Sequence, residues 1–316
     1  MNIKNPFVRP VVSGLISILL LIVSGSAWAD APRWFVAPVL DKAPDIELGL
    51  ADPAWEKALK IPFAKLEDAP GDTSKYPTES YWLRAGGSLF VAFKCTNPSS
   101  PKLWATDNQL RDSNVYTKEC IELFVGDFAG DLYYQLVVDA CGNLFDGQRA
   151  NAAWNGDWKR KVDRQAGCWT VIYEIPAPIL STIWEPGSFI TINVTRHGSN
   201  PDGSGGEITS LSPPGAHSPK ERVFLGRSNP ALLGTNLAQA VKALKANFAK
   251  AQLPKSATEK LAAMDAFVAA CAGAGDVPLE RYQELFAQYV QFEKGLKGLE
   301  QDIVLNVIFE GQGNAR

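Results

Sequence analysis

The 316-residue sequence contains few of the residues that build metal and haem centres, with two histidines, two methionines and five cysteines. No two cysteines have the C-x-x-C spacing of zinc or thioredoxin-like sites. The sequence also lacks a nucleophile elbow, a run of metal ligands and a phosphate-binding loop. Acidic and basic side chains are present, but no pattern organises them into a catalytic pair. We therefore do not expect an enzyme.

An excess of positive charge is also missing. The chain has 31 Lys+Arg against 34 Asp+Glu, which gives a formal net charge of −3. Binding to phosphates needs a basic face, so the composition argues against nucleic acid as a partner. Beyond the N-terminus no stretch reaches the roughly 18 uncharged apolar residues of a membrane span. We expect no such span in the mature chain.

The N-terminus has the three regions of a secretory signal. Lys4 and Arg9 precede an apolar run over residues 11–23, and small residues follow it up to Ala29. Cleavage after Ala29 removes residues 1–29 and lowers the net charge to −5, because the signal holds two cations and no acid. The sequence therefore predicts a secreted or periplasmic protein, and an uncleaved anchor is the alternative.

The cysteines all survive this cleavage and enter a compartment where disulfides can form. Their odd number leaves at least one thiol unpaired. Four lie in the region predicted to be β-rich, and the isolated Cys271 is the natural remainder. One sequence does not give the pairing of the other four, which are Cys95, Cys120, Cys141 and Cys168.

Residues 30–229 are predicted to form a mainly β domain. Short alternating runs rich in Trp, Tyr and Val are broken by turn residues, which is typical of a two-sheet antiparallel β-sandwich of the immunoglobulin-like or jelly-roll type. Gly86-Gly87 separates two β-rich runs and predicts a tight hairpin. The segment from Pro201 to Pro214 is rich in Gly and Pro and is expected to be a loop. Further strands are predicted at 119–125, 132–139, 143–149, 158–163, 168–175, 189–196 and 222–226.

Residues 230–316 are predicted to be an α-helical hairpin or small bundle. Apolar residues recur at helical spacing in three segments. Ser256 with Glu259 has the pattern of a capping box that opens the second segment. The third segment carries an apolar stripe of three heptads, from Tyr282 to Ile303, which packs either within the chain or against a partner. Self-association or a partner protein through helices 237–303 is therefore the second possibility.

Three segments, in order along the chain, resemble the family-nine carbohydrate-binding modules that are attached to secreted glycoside hydrolases. Residues 45–58 are similar to the opening stretch of that family, with Glu47 in place of Asp. Residues 89–93 and 119–125 resemble its next two strands, "L-Y-V-A" and "D-x-V-E-I-F". Residues 169–176, 192–196 and 217–219 resemble its last marks. The resemblance covers residues 45–226 and none of the helical part.

The resemblance implies a β-sandwich that binds sugar between aromatic side chains and, in some members, holds structural calcium. By position, Tyr116 matches the stacking aromatic of the family, and His217 occupies the region of the second aromatic. Gln135, Asn193 and Arg196 supply planar polar groups suited to vicinal hydroxyls.

Trp154 and Trp158 are further ligand candidates. They lie in a polar segment, where exposing an indole to water is unfavourable unless it serves a function such as ligand binding. Each candidate also has a structural interpretation, in which Trp158 begins a buried strand and Arg196 pairs with Glu122 or another buried carboxylate. In the same interpretation Tyr116 is an edge aromatic. Trp55 and Trp82 are expected in the core, and His197 is expected to be exposed at a strand end.

No cofactor is required by this interpretation, although structural calcium is possible. Loop carboxylates are the oxygen ligands that calcium uses, but none has EF-hand spacing. Haem would need His197 and His217 as an axial pair, because Met264 is the only methionine of the mature chain and lies in the helices. We do not expect haem. The loop carboxylates are Asp107, Asp112, Asp127, Asp131, Asp139, Asp146 and Asp157.

The sequence therefore predicts non-catalytic carbohydrate binding by an exported protein that supports polysaccharide capture or breakdown. Any hydrolase activity would belong to a partner. The alternative is an exported scaffold that assembles through its helices.

Overall fold

The computed structural model describes the chain from residue 32 to residue 313, with gaps. The predicted signal and its cleavage site at Ala29 lie outside the described residues, as do Asp107 and Asp131 of the calcium candidates. The described ranges are 32–69, 71–97, 110–127, 132–149, 151–180, 189–200, 202, 204–215, 217–226, 228–249, 251 and 253–313.

Within these residues the chain forms thirteen β-strands followed by three α-helices. The first strands are β1 (Trp34–Ala37), β2 (Val39–Leu40), β3 (Leu59–Leu66), β4 (Thr73–Ala85) and β5 (Ser88–Thr96). The middle strands are β6 (Cys120–Gly126), β7 (Tyr133–Asp139), β8 (Leu144–Gln148), β9 (Lys159–Gln165) and β10 (Cys168–Pro176). The last elements are β11 (Phe189–Ser199), β12 (Gly205–Ser210), β13 (Glu221–Leu225), α1 (Ala231–Asn247), α2 (Lys255–Gly273) and α3 (Leu279–Gly313).

The strands form one continuous, curled sheet in the order β8-β7-β6-β11-β12-β3-β4-β5-β10-β9. Most neighbouring strands are antiparallel. β13 pairs with the first part of β11, and β1 pairs with β13 in parallel. Gly86 and Gly87 connect β4 to β5 with positive φ angles of 54° and 79°, which confirms the predicted hairpin. The mainly β architecture with C-terminal helices is as the sequence predicts.

The two halves of the sheet face each other across an apolar core. Alternate residues of β6, β7 and β11 point inward and meet alternate residues of β4, β5 and β10 in one cluster of buried side chains. The Tyr173 hydroxyl on β10 donates to the Ile121 carbonyl on β6 over 3.1 Å, so a hydrogen bond also joins the halves. Trp82 is fully buried in this core, as predicted.

Outside the core, two further structures cover parts of the sheet. Two 3-10 turns, Ile46–Ala51 and Pro53–Lys57, lie over the outer side of β4, β5 and β10, where Trp55 is buried against Leu83 and Phe90. The Asp52 side chain accepts a hydrogen bond from the Ala54 amide and caps the second turn.

The helical bundle covers the outer side of β11 and β13 at another place. Trp34, Phe189 and Phe224 pack against Tyr282 and Phe286 of α3, with ring centroids 4.6–6.4 Å apart. The apolar stripe of α3 is buried or half-buried within this cluster. The stripe therefore packs inside the chain, which is the first of the two predicted arrangements, and self-association stays a prediction.

Two local predictions are wrong. The segment from Pro201 to Pro214 contains strand β12, which pairs with β11 and β3. A shift of register between His197 and Ser199 accommodates the glycines, so the ladder tolerates them. Ser256 does not cap a helix, because α2 begins at Lys255 and the preceding Pro254 makes no side-chain cap.

None of the helices in the described part of the chain combines the length and the low charge that crossing a membrane requires. All five cysteines are described, and the structure joins none of them in a disulfide. Cys271, on α2, is buried in the helical cluster.

Candidate functional site

Two of the predicted ligand residues, Gln135 and Asn193, lie on the outer face of β7, β6 and β11, and Tyr116 and His217 lie near its ends. On β6 the residues Ile121, Leu123 and Val125 point into the core, so Glu122 and Phe124 point outward. Register places Thr195 of β11 and Val137 of β7 on either side of Glu122. Glu122 therefore stands at the centre of this face. The face is largely buried, since Val115 of the 3-10 turn Val115–Thr117 packs on Cys120 and Val137, and its exposed groups lie at its margins.

A line of polar side chains crosses this face. The Gln135 amide Nε2 donates to Glu122 Oε2 over 2.6 Å, and His197 Nε2 lies 2.6 Å from Glu122 Oε1. Glu122 and Gln135 are buried, whereas the His197 side chain keeps 20% of its surface exposed. The prediction that His197 is simply exposed at a strand end is therefore wrong, since it lies within β11 and pairs with a carboxylate.

Aromatic side chains lie at one end of this polar line. The exposed His217 packs its ring against Phe124, with centroids 4.9 Å apart, and its Nδ1 lies 3.3 Å from the Tyr133 hydroxyl. Tyr133 is half-buried and its own ring leans on Phe124. His217 from its loop and Tyr133 from the start of β7 thus place two rings beside the polar groups of the face.

A second aromatic lies beyond the other end of β6. Tyr116 is 37% exposed, and the edge-to-face contact of its ring with Phe145 holds it in place. Its hydroxyl donates to the Asn114 side chain over 3.1 Å. From Cys120 to Phe124 the strand rises about 13 Å, so Tyr116 and His217 are separated by more than one sugar ring.

The two tryptophan candidates are placed differently. Trp158 is 6% exposed, stacks on Tyr173 and donates its Nε1 hydrogen to Asp146 Oδ2 over 3.0 Å. Trp154 is half-buried and packs on Tyr134, with centroids 4.7 Å apart. Trp158 thus belongs to the core, as the structural interpretation expects, whereas Trp154 keeps an exposed edge.

Asn193 and Arg196 are buried and have internal partners. Asn193 accepts a hydrogen bond from the Ser212 amide and donates to the Gly215 carbonyl, so it fixes the segment that leads to His217. Arg196 points to the core side and pairs with Glu119 at 2.8 Å, not with Glu122. Both act here as positioning residues, and contact with a ligand stays a prediction for each.

Several carboxylates proposed as calcium ligands are already occupied by protein groups. Asp146 accepts hydrogen bonds from Arg111, from the Gly156 amide and from Trp158. Asp139 accepts from the Cys141 and Asn143 amides and from the Asn143 side chain. Protein hydrogen bonds therefore contribute to ordering these turns, and calcium in the loops stays a prediction.

Cys120 opens β6 on the same outer face as Glu122. Burial, and then the neighbouring carboxylates, raise the pKa of its thiol well above the usual value. The side chain is therefore a neutral thiol in the metal-free protein at physiological pH.

Two clefts of more than 600 Å³ lie away from the outer face of β7, β6 and β11, and none of the predicted ligand residues lines either of them. One, of about 620 Å³, lies between the Gly86-Gly87 turn and the start of α1. The other, of about 650 Å³, lies between α1 and α3, where Arg222, Tyr289 and Glu293 line it.

Glu122, Tyr133 and His197 were not among the predicted ligand residues. For Glu122, the alternating pattern of the predicted strand at 119–125 was a signal that the sequence offered. Tyr133 and His197 come to this site only through the fold, so no sequence pattern pointed to them.

No protein-family profile matches the sequence, and a search of curated proteins finds no match. Among solved structures, the chain is similar to a protein from Bacteroides uniformis ATCC 8492 that is inferred to bind carbohydrate, with 16% identity and a TM-score of 0.46. That match covers 61% of this chain and 98% of the other.

The chain is also similar to a carbohydrate binding module family 9 protein from Caldicellulosiruptor kristjanssonii, solved with cellotriose and with glucose. These matches have 15% and 16% identity, and both have a TM-score of 0.43. They cover 63% and 62% of this chain, and 97% and 98% of the other.

Proposed function

We propose that the outer face of β7, β6 and β11 binds carbohydrate without catalysing a reaction on it. The observation that carries this proposal is the line of Gln135, Glu122 and His197 with exposed aromatic rings beyond both ends. Sugars present apolar C–H faces and a rim of hydroxyls, so flat rings and paired polar groups are the chemistry that recognises them.

The spacing of the aromatic rings supports an oligosaccharide rather than a single sugar. Tyr116 lies before the start of β6, and His217 packs on Phe124 near its end. A chain that spans from Tyr116 to His217 would stack on one ring at each end, and its hydroxyls would meet the partly exposed His197 between them. Trp154 packs on Tyr134 on the core side of β7, so it is not part of this surface.

The geometry gives no support to hydrolysis. Among the described residues of this face, Glu122 is the central carboxylate and is held by two neighbours, whereas glycoside hydrolysis uses two carboxyl groups about 5–10 Å apart across the substrate. The protein would capture polysaccharide outside the cytoplasm, and other proteins would break it down.

Determining the N-terminus of the protein recovered from the periplasm or medium tests the export step, with Asp30 as the expected first residue.

Calorimetric titration of the mature protein with sugars tests the binding function. The panel contains mono-, di- and oligosaccharides, including glucose and cellotriose, and each titration is run with EDTA and with calcium. We expect micromolar to millimolar binding of one oligosaccharide class. A calcium requirement would support the structural calcium proposed from the sequence, and equal binding in EDTA would exclude it.

Tyr116→Ala is the informative variant, because it removes one exposed ring without opening the core. We expect its affinity to fall at least about tenfold. Tyr81→Ala is the matched control, since Tyr81 lies on the outer side of the opposite half of the sheet. No heat with any sugar, or an equal loss in both variants, would contradict the proposed site.

A further inference from the structure

One group of side chains in the described residues has the composition of a metal site. The ligand atoms of Cys120, Glu122 and His197 all lie within 4.8 Å of one another. The three come from two neighbouring strands, since Cys120 and His197 are directly opposite in the β6–β11 ladder and Glu122 is two residues further along β6. Two paired strands of a sheet form a rigid frame for such a group.

The burial of the three residues is graded. Cys120 and Glu122 are buried, and His197 keeps 20% of its side-chain surface exposed. An ion would therefore enter beside the partly exposed imidazole and reach ligands that are shielded from bulk solvent. A half-exposed entry to a buried thiol and carboxylate is the arrangement that a metal site needs.

Gln135 adds a supporting contact. Its amide donates to Glu122 Oε2 over 2.6 Å, which leaves Oε1, the oxygen beside His197, to face the cluster. Groups that hold a ligand carboxylate in this way orient it toward the metal. Gln135 would thus act as a positioning residue for the metal ligand.

We propose that Cys120, Glu122 and His197 bind a zinc ion. Sulfur, imidazole nitrogen and carboxylate oxygen are the three ligand types that zinc uses, whereas calcium and magnesium take oxygen ligands alone. Three protein ligands leave a fourth tetrahedral position for water or for an oxygen of a bound molecule. This site is distinct from the calcium considered for the loops, and the inference does not depend on sugar binding.

The required rearrangement is small. Ligand atoms around tetrahedral zinc are about 3.3–3.6 Å apart, given bonds of about 2.0–2.3 Å. His197 Nε2 and Glu122 Oε1 are now 2.6 Å apart, so the ion must separate them by about 1 Å. Rotation of the half-exposed imidazole supplies this movement, and the strands need not shift.

Metal titration of the full mature chain, treated first with EDTA and a reductant, tests the proposal without any sugar present. Zinc is titrated in competition with a chromophoric chelator, and cobalt(II) is used as a spectroscopic probe. We expect one ion per chain and a near-ultraviolet charge-transfer band from a cobalt–sulfur bond. Calcium and magnesium should not compete.

The variants identify the ligands. Cys120→Ser should abolish the charge-transfer band, and His197→Gln should weaken zinc binding more than about 100-fold, while Gln135→Ala should weaken it about 10- to 100-fold. Cys141→Ser and Cys271→Ser are matched controls, because they remove thiols outside the cluster and should leave the band unchanged. Circular dichroism verifies that each variant is folded.

Either of two results would overturn the inference. One is that the folded wild-type protein binds no zinc at micromolar concentration. The other is that its cobalt band survives Cys120→Ser and disappears in a control variant. Because these titrations contain no sugar, their failure leaves the proposed carbohydrate function untouched, and sugar titrations in EDTA are equally independent of the metal.

Discussion

The two ends of β11 show how one strand serves two purposes. Its inward row stays apolar from Ile190 to Val194, but its outward row changes from Phe189 at one end to His197 at the other. The Phe189 end is sealed by the helical bundle, whereas the outward row toward the other end is polar and leads to His197, which keeps 20% of its side-chain surface exposed. The outward row of a sheet thus records which part docks another element and which part remains available to a ligand.

The largest expected effect comes from removing the cover of the apolar end. Deleting residues 230–316 would expose Trp34, Phe189 and Phe224 together, because these rings pack on Tyr282 and Phe286. We expect the truncated chain to lose cooperative unfolding or to aggregate, since an apolar patch of this kind is unstable in water. Size-exclusion chromatography and thermal unfolding measure the effect.

A monomeric truncated chain with the unfolding temperature of the full protein would contradict this comparison. It would show that the helices are an independent domain, as the sequence-based division at residues 229 and 230 predicts, and that the rings at this end of β11 need no cover.

A smaller but still large loss of stability is expected at the polar end of β11, where Arg196 faces the core. Glu119→Gln leaves the guanidinium of Arg196 buried without its carboxylate, which also accepts a hydrogen bond from Trp169. Breaking one partner of a buried ion pair costs about 3–5 kcal/mol. Denaturant unfolding measures the change in the free energy of unfolding.

Glu174→Gln is the control for this measurement, because Glu174 pairs with the exposed Lys159 on the outer side of β10. Its loss should cost less than about 1 kcal/mol. Equal effects of the two variants would mean that the Arg196 pair does not anchor the polar end of β11.

The smallest effect on stability is expected from His217→Ala. His217 is exposed, and it contacts Phe124 and Tyr133 through its ring and the Tyr133 hydroxyl through Nδ1. Exposed contacts of this kind contribute little, so the free energy of unfolding should change by less than about 1 kcal/mol. Sugar affinity should nevertheless fall several-fold, because one of the two stacking positions is lost. A large loss of stability with unchanged affinity would reverse the assignment of this end of the face.

Local sequence patterns predict the parts of this fold that depend on local chemistry. The Gly86-Gly87 hairpin, the burial of Trp55 and Trp82 and the positions of most strands follow from turn residues and alternation. Strand β12 does not, because its pairing with β3 and β11 is non-local and its Gly-rich sequence has the composition of a loop.

The candidate site was predictable only in part. Tyr116 and His217 are exposed near the face, as a ligand platform requires, but Trp158 and Arg196 fill internal positions. The choice between Glu119 and Glu122 as the partner of Arg196 depends on which side of the sheet each residue faces. A single register shift exchanges those sides, so sequence alone did not decide it.

Hydrogen exchange with and without a saturating oligosaccharide tests the central claim most directly, because it locates the ligand without any substitution. The account predicts slower exchange in residues 114–124, 133–137 and 193–197 and around His217, with the helices unchanged. Protection confined to α1 and α3 near Arg222, or to the 3-10 turns over β4 and β5, would place the ligand elsewhere and contradict the assignment of the outer face of β7, β6 and β11.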